Sequence, residues 1–169
     1  SNEEADAMGN EENRQYMAEA INEQFNAELQ SQIDGTLEQG HVYKFGRPSS
    51  ILIKAGLPDL DIELAASRLS DKSMQENHPF GLEEIKGLPN AIQNPLAVMV
   101  SATRLGSHVI LTELKHGNDN YDVVVGVNKT KDKVEVNSIR SVHYRNKMNI
   151  INLIAEGLGT YYSPEMADW

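Results

Sequence analysis

The chain has 169 residues, 40% of them hydrophobic and 24% charged, so it has the length for one domain with a single core and the composition of a folded chain rather than a disordered one. It carries no cysteine, which excludes disulfides, thiolate metal ligands and thiol nucleophiles and fits a reducing, cytoplasmic compartment; no run approaches the roughly 20 apolar residues of a membrane span, so no membrane partner is expected. The formal net charge of −10 is unevenly spread, with −9 on residues 1–40 and −1 on residues 41–169.

The first predicted element is a helix over residues 11–33. Met17, Ile21, Phe25, Leu29 and Ile33 recur every four positions and wind one narrow apolar stripe, and Gly35 marks the end. The remaining positions are Glu, Gln and Asn, so residues 1–40 read as an acidic linker helix lying on the body's flank or on a partner. Removing residues 1–38 is expected to leave the body, residues 41–169, folded. The opening Ser1-Asn2 and the ending at Trp169, just after the helix-start pattern Ser163-Pro164-Glu165, are expected of a piece cut from a longer polypeptide.

The body begins with a predicted strand, residues 41–45, and the turn Gly46-Arg47-Pro48. Ser49 or Ser50 can cap a short helix over 51–55, which Gly56 ends. An extended piece at 61–64, a helix over about 65–75, a loop through Asn77-His78-Pro79-Phe80-Gly81 and two helical turns at 82–86 and 89–93 follow. After Pro95 the pattern changes to strands at 96–100, 108–114, 121–128 and 133–142, joined by short segments rich in Gly, Asn, Asp and Lys. An amphipathic helix over 146–156 comes last. Helices first and strands second predict an α+β fold, an antiparallel meander of at least four strands with helices packed to one side.

On the last strand, alternation puts Val134, Val136, Ser138, Arg140, Val142 and Tyr144 on one face and Ile139 on the other. The valines mark the first face as inward, and the misplaced Ile139 predicts a bulge beside it that turns Ser141 inward and aims Arg140 or Tyr144 at a site. The lysines and arginines from Lys129 to Lys147 outnumber the acids there. They read equally as a protected hairpin edge or as a phosphate-binding surface.

The phosphate-binding loop, the dinucleotide fingerprint and the nucleophile elbow are all missing from the sequence. The five histidines lack paired metal-ligand spacing, so neither a metal nor another cofactor is expected.

From Val42 onward a series of phrases occurs in a particular order. It runs Phe45-Gly46-Arg47-Pro48, Ile53-Lys54-Ala55-Gly56, Lys72 five residues before Asn77-His78-Pro79, Ile85-Lys86-Gly87-Leu88-Pro89, Asn94-Pro95-Leu96-Ala97-Val98, Val109 to Leu114, and Ile139 to Tyr144. Over residues 42–162 this resembles the C-terminal domain of phage MuF-type proteins, found in phage head proteins and in large proteins of conjugative elements. The resemblance implies a nuclease fold of the barnase, EndoU, colicin and RelE class and metal-independent RNA cleavage, in a toxin or effector that is virion-associated or delivered into a recipient cell. Implied partners are RNA, an immunity protein or flanking domains of the parent chain. The competing reading is a catalytically silent structural or protein-binding module, which the near-neutral body and acidic lead-in favour.

Cleavage by a ribose 2′-hydroxyl needs a proton acceptor, a proton donor and positive charge or hydrogen-bond donors around the phosphate. His78 suits proton transfer and equally suits a loop cap; Lys72, on the preceding helix, suits the phosphate. Arg140, Ser141 and Tyr144 suit the phosphate oxygens. The family reads Ser-Val-Tyr where this chain reads Ser141-Val142-His143-Tyr144, which makes His143 a substitute for Tyr144. Glu113, among Val109 and Leu111, is either a site carboxylate or a strand-end residue.

Overall fold

The computed structural model describes residues 2–70, 81–156 and 158–169. Helix α1 spans Asn2–Ile33 and is followed by β1 (Val42–Gly46), α2 (Ser50–Lys54), β2 (Ile62–Ala65) and a 3-10 turn (Ala66–Ser70). Then come α3 (Gly81–Glu84), α4 (Leu88–Gln93), β3 (Ala97–Val100), β4 (His108–His116), β5 (Asp119–Lys129), β6 (Glu135–Arg145), α5 (Lys147–Ala155), β7 (Gly159–Tyr162) and a final 3-10 turn (Pro164–Asp168). Ser49 caps α2 as expected, its hydroxyl accepting from the Leu52 amide, and Asn146 caps α5 through the Asn149 amide.

The fold is α+β, built on one seven-stranded sheet in the order β1-β2-β6-β5-β4-β3-β7. The expected meander is β3-β4-β5-β6, antiparallel throughout; β7 extends it beyond β3, and β2 joins β6 in parallel. The parallel pair and β7 escaped the sequence reading. β2 and β7 are each only four residues long, so neither shows a period of its own.

One face of the sheet carries the main core. Val98, Ile110, Tyr121, Val123, Val125, Ile139 and Val142 pack there against Leu52, Ile85, Leu88 and Ile92 from the short helices. The opposite face of β3 and β4 is also apolar: Ala97, Met99, Val109 and Leu111 form a second core with Ile150, Leu153 and Ile154 of α5. The expectation of helices on one side is therefore corrected. Val109-Ile110-Leu111 is buried residue by residue, and a strand with apolar side chains on both faces needs cover on both.

The two halves of helix α1 differ in burial. From residue 9 to residue 20 it is exposed apart from half-buried Ala18, with Tyr16 74% and Met17 62% exposed. Its second half belongs to the main core: Phe25 and Leu29 are buried, and Phe25 meets Tyr43 and Phe45 edge-on at 4.9 and 5.2 Å. Its polar residues bind the body as well. Asn26 accepts from the Gly87 amide at 2.7 Å, Asn22 from the Asn90 amide at 3.3 Å and Gln30 from the Lys86 ammonium at 2.7 Å. Residues 41–169 alone thus lack two central side chains of their core.

Candidate active site

The bulge expected beside Ile139 is present. Val124 lies opposite Ser141 and Val125 opposite Ile139, which leaves Arg140 as the extra residue of β6. Its faces are the reverse of those expected. Ile139 is fully buried in the main core while Val134 is 57% exposed, so Ile139 marks the inward side. The extra residue keeps Val142, and with it Tyr144, on that side. Ser141, His143 and Arg145 consequently share the opposite face, where Val124 leads toward the second core.

Arg140 also lies on that opposite face. Its guanidinium occupies the space above Gly126, where a built Cβ would come within 2.6 Å of Cζ, and Nη2 donates to the Val127 carbonyl at 3.2 Å. Glycine at 126 makes this close approach possible.

Across from His143 stands Asp122 of β5, whose side chain is 1% exposed. Oδ2 accepts from Arg145 Nε at 2.9 Å, and Oδ1 lies 3.1 Å from His143 Nε2 in an ion-pair contact that is not aligned as a hydrogen bond. A buried carboxylate is costly unless its charge is compensated, and the always-charged guanidinium compensates it here. The side chains of His143 and Arg145 are 38% and 29% exposed. The arrangement therefore holds a half-exposed imidazole beside a buried, charge-compensated carboxylate, with Ser141 and Arg140 in the same row.

Tyr144 is part of a second constellation on the core face. Its ring stacks on His116 at 4.4 Å and meets Tyr121 edge-on at 5.4 Å. Glu84 of α3 joins both partners: its carboxylate oxygens lie 2.9 and 3.0 Å from His116 Nδ1, and Tyr121 donates its hydroxyl proton to Oε2 at 2.7 Å. Burial, then the hydrogen bond and charge of Glu84, push the Tyr121 hydroxyl well above the usual phenol range. The two constellations stand back to back, because Tyr121-Asp122 and His143-Tyr144 are neighbours on paired strands whose side chains alternate.

Of the residues expected from sequence, the structure brings Arg140, Ser141 and His143 to one face and puts Tyr144 on the other. Glu113 is exposed on β4, in the stretch between Leu111 and Lys115 where the register with β5 shifts. Lys72 and His78 lie outside the described residues. The sequence reading missed Asp122 and took in Arg145 only as one cation of the stretch from Lys129 to Lys147. A lone aspartate one step before the aliphatic run Val123-Val124-Val125 was the available signal for Asp122. Among the described residues, no three of His, Asp and Glu gather as metal ligands, and no helix is long and apolar enough to cross a membrane.

An α+β domain whose sheet presents an aspartate-backed histidine within a row of serine and arginine has the parts of an acid–base site on an open face. The chain belongs to the phage MuF C-terminal domain family, whose model matches residues 69–168, more than half of its length. Neither a curated protein nor a solved structure matches it.

Proposed function

We propose that this domain is an endoribonuclease that cleaves RNA without a metal ion. The observation that supports the reading is the contact of His143 with buried Asp122, beside Ser141 and Arg140, on the sheet face opposite the main core. Asp122 meets Nε2 of His143, which leaves Nδ1 to take the proton from a ribose 2′-hydroxyl, and the carboxylate then stabilises the imidazolium. The 2′-oxygen forms a bond to phosphorus and the bond to the 5′-oxygen breaks, giving a 2′,3′-cyclic phosphate and a 5′-hydroxyl. Arg140 and Ser141 supply charge and a hydrogen bond to the phosphate oxygens. The residue types of His78 and Lys72 suit the remaining chemistry, proton transfer and charge for a phosphate.

The test is digestion of a single-stranded RNA in EDTA with analysis of the new ends. Cyclic phosphate ends are expected, and His143→Ala should slow cleavage by roughly two to four powers of ten, the usual worth of general acid–base catalysis. Undiminished cleavage by that variant would refute the assignment.

The alternative of a protein-binding module draws on the exposed, acidic stretch of α1 from residue 9 to residue 20, with Tyr16 and Met17 uncovered. A folded wild-type chain that leaves RNA intact but binds a basic protein through residues 9–20 would establish it.

A further inference from the structure

Beside the row of Ser141, His143 and Arg145 the surface opens into a groove of about 670 Å³ between the β4–β5 turn and the start of α5. We propose that this groove is a subsite for one nucleotide of a single-stranded RNA whose scissile phosphate lies at His143. The inference rests on the RNA reading of the site and adds where the strand continues.

Continuity comes from the sheet register. Asn120, in the groove wall, pairs with Arg145, while Asp122 and His143 are the next same-face pair along β5 and β6. The groove thus begins about 7 Å from the histidine, two strand residues away. Its charge fits a phosphate: the exposed Lys115 and Lys147 line it against one acid, Asp119, in a chain whose formal net charge is −10. Its floor fits a base. Met148, Ile151 and Trp169 provide apolar area, and Asn118 provides an exposed amide for a base edge. The Asn120 side chain is not free for that purpose, because it donates to the Thr112 carbonyl at 3.0 Å.

The Lys147 ammonium rests 5.0 Å from the centre of the Trp169 ring. A phosphate in the groove would draw it off the indole. Trp169 is the chain's single tryptophan, so its fluorescence reports on this place alone.

The experiment titrates the full chain with a four-nucleotide RNA carrying 2′-O-methyl groups, which block cleavage, and follows both tryptophan emission and the anisotropy of a labelled copy. A saturable emission change is expected for the wild type and for His143→Ala. In Lys115→Ala/Lys147→Ala, anisotropy should show affinity lowered at least about tenfold and a slope of log K against log salt smaller by roughly 1.4, the value for two lost phosphate contacts on a single strand. Thermal unfolding of that variant should match the wild type, since both lysines are exposed. Unchanged affinity in the double variant, or wild-type emission indifferent to bound RNA, overturns the subsite. Cleavage of unmodified RNA that persists alongside such a result leaves the nuclease reading standing. Binding in the groove without cleavage would instead defeat the nuclease reading alone.

Discussion

Asp122 can stay buried because two partners reach it from the adjacent strand, and they differ in kind. Arg145 is permanently charged, whereas His143 carries charge only when protonated. Arg145→Ala should therefore leave a buried carboxylate without a constant counter-charge and destabilise the domain by about 3 kcal/mol, the scale for breaking a buried pair. Urea unfolding at neutral pH checks this. A loss below about 1 kcal/mol would show that solvent reaches Asp122 and that the pair is ordinary surface charge. A second buried polar residue, Tyr43, is explained on the same terms. It is held between Gln32 and the backbone of Glu28, and burial, then the Glu28 charge, push its hydroxyl up to about 12. Neither Asp122 nor Tyr43 stands out by residue type, and their significance arises from what surrounds them.

Within β6 the decisive feature is the single extra residue. Without a bulge, Ile139 and Val142 could not both face the main core, being three positions apart on a strand of period two. The bulge satisfies both, and it sends Arg140 over Gly126 beside Ser141. Gly126→Ala tests this arrangement: its Cβ would meet the tip of the Arg140 side chain, which can swing away, so the stability cost should stay within about 1 kcal/mol. Cleavage should fall by about tenfold or more if Arg140 offsets charge at the phosphate. Comparing denaturant unfolding with RNA cleavage separates the two effects, and unimpaired cleavage would remove Arg140 from the site. The conflict between Ile139 and its valine neighbours was readable in the sequence. Which side would prevail was not, because exposed Val134 and buried Ile139 are both β-branched apolar residues.

For the molecule as a whole, the division of α1 matters most. Removing residues 1–20 should leave the unfolding transition nearly unchanged, since the side chains from 9 to 20 touch little. Removing residues 1–38 takes away Phe25 and Leu29 as well. Calorimetry should then show a transition lowered far below the wild type or lost, and Phe25→Ala in the full chain should cost roughly 3–5 kcal/mol. A cooperative, wild-type-like transition in the longer truncation would mean that the second half of α1 is dispensable to the core. The helix also docks on the core side of the sheet, through β1, α3 and α4, whereas the candidate active site faces the other way. Its acidic surface therefore does not lie over that site.

Local chemistry by itself determined the α+β class, the four-strand meander, the serine and asparagine caps and the apolar stripe of α1. Each of these depends on residues close together in the chain: a period of two, a period near four, or a side chain reaching an amide three positions on. The order and spacing of phrases pointed to the family, and the match over residues 69–168 established it. Tertiary structure alone decided the parallel pairing of β2 with β6, the place of Phe25 and Leu29 in the core, the face of the sheet that Tyr144 takes, and the meeting of Asp122 with His143 and Arg145. These depend on which distant segments pack together and in what register. A one-residue bulge reverses the outcome for every side chain beyond it, so the pattern of a single strand cannot determine its own face.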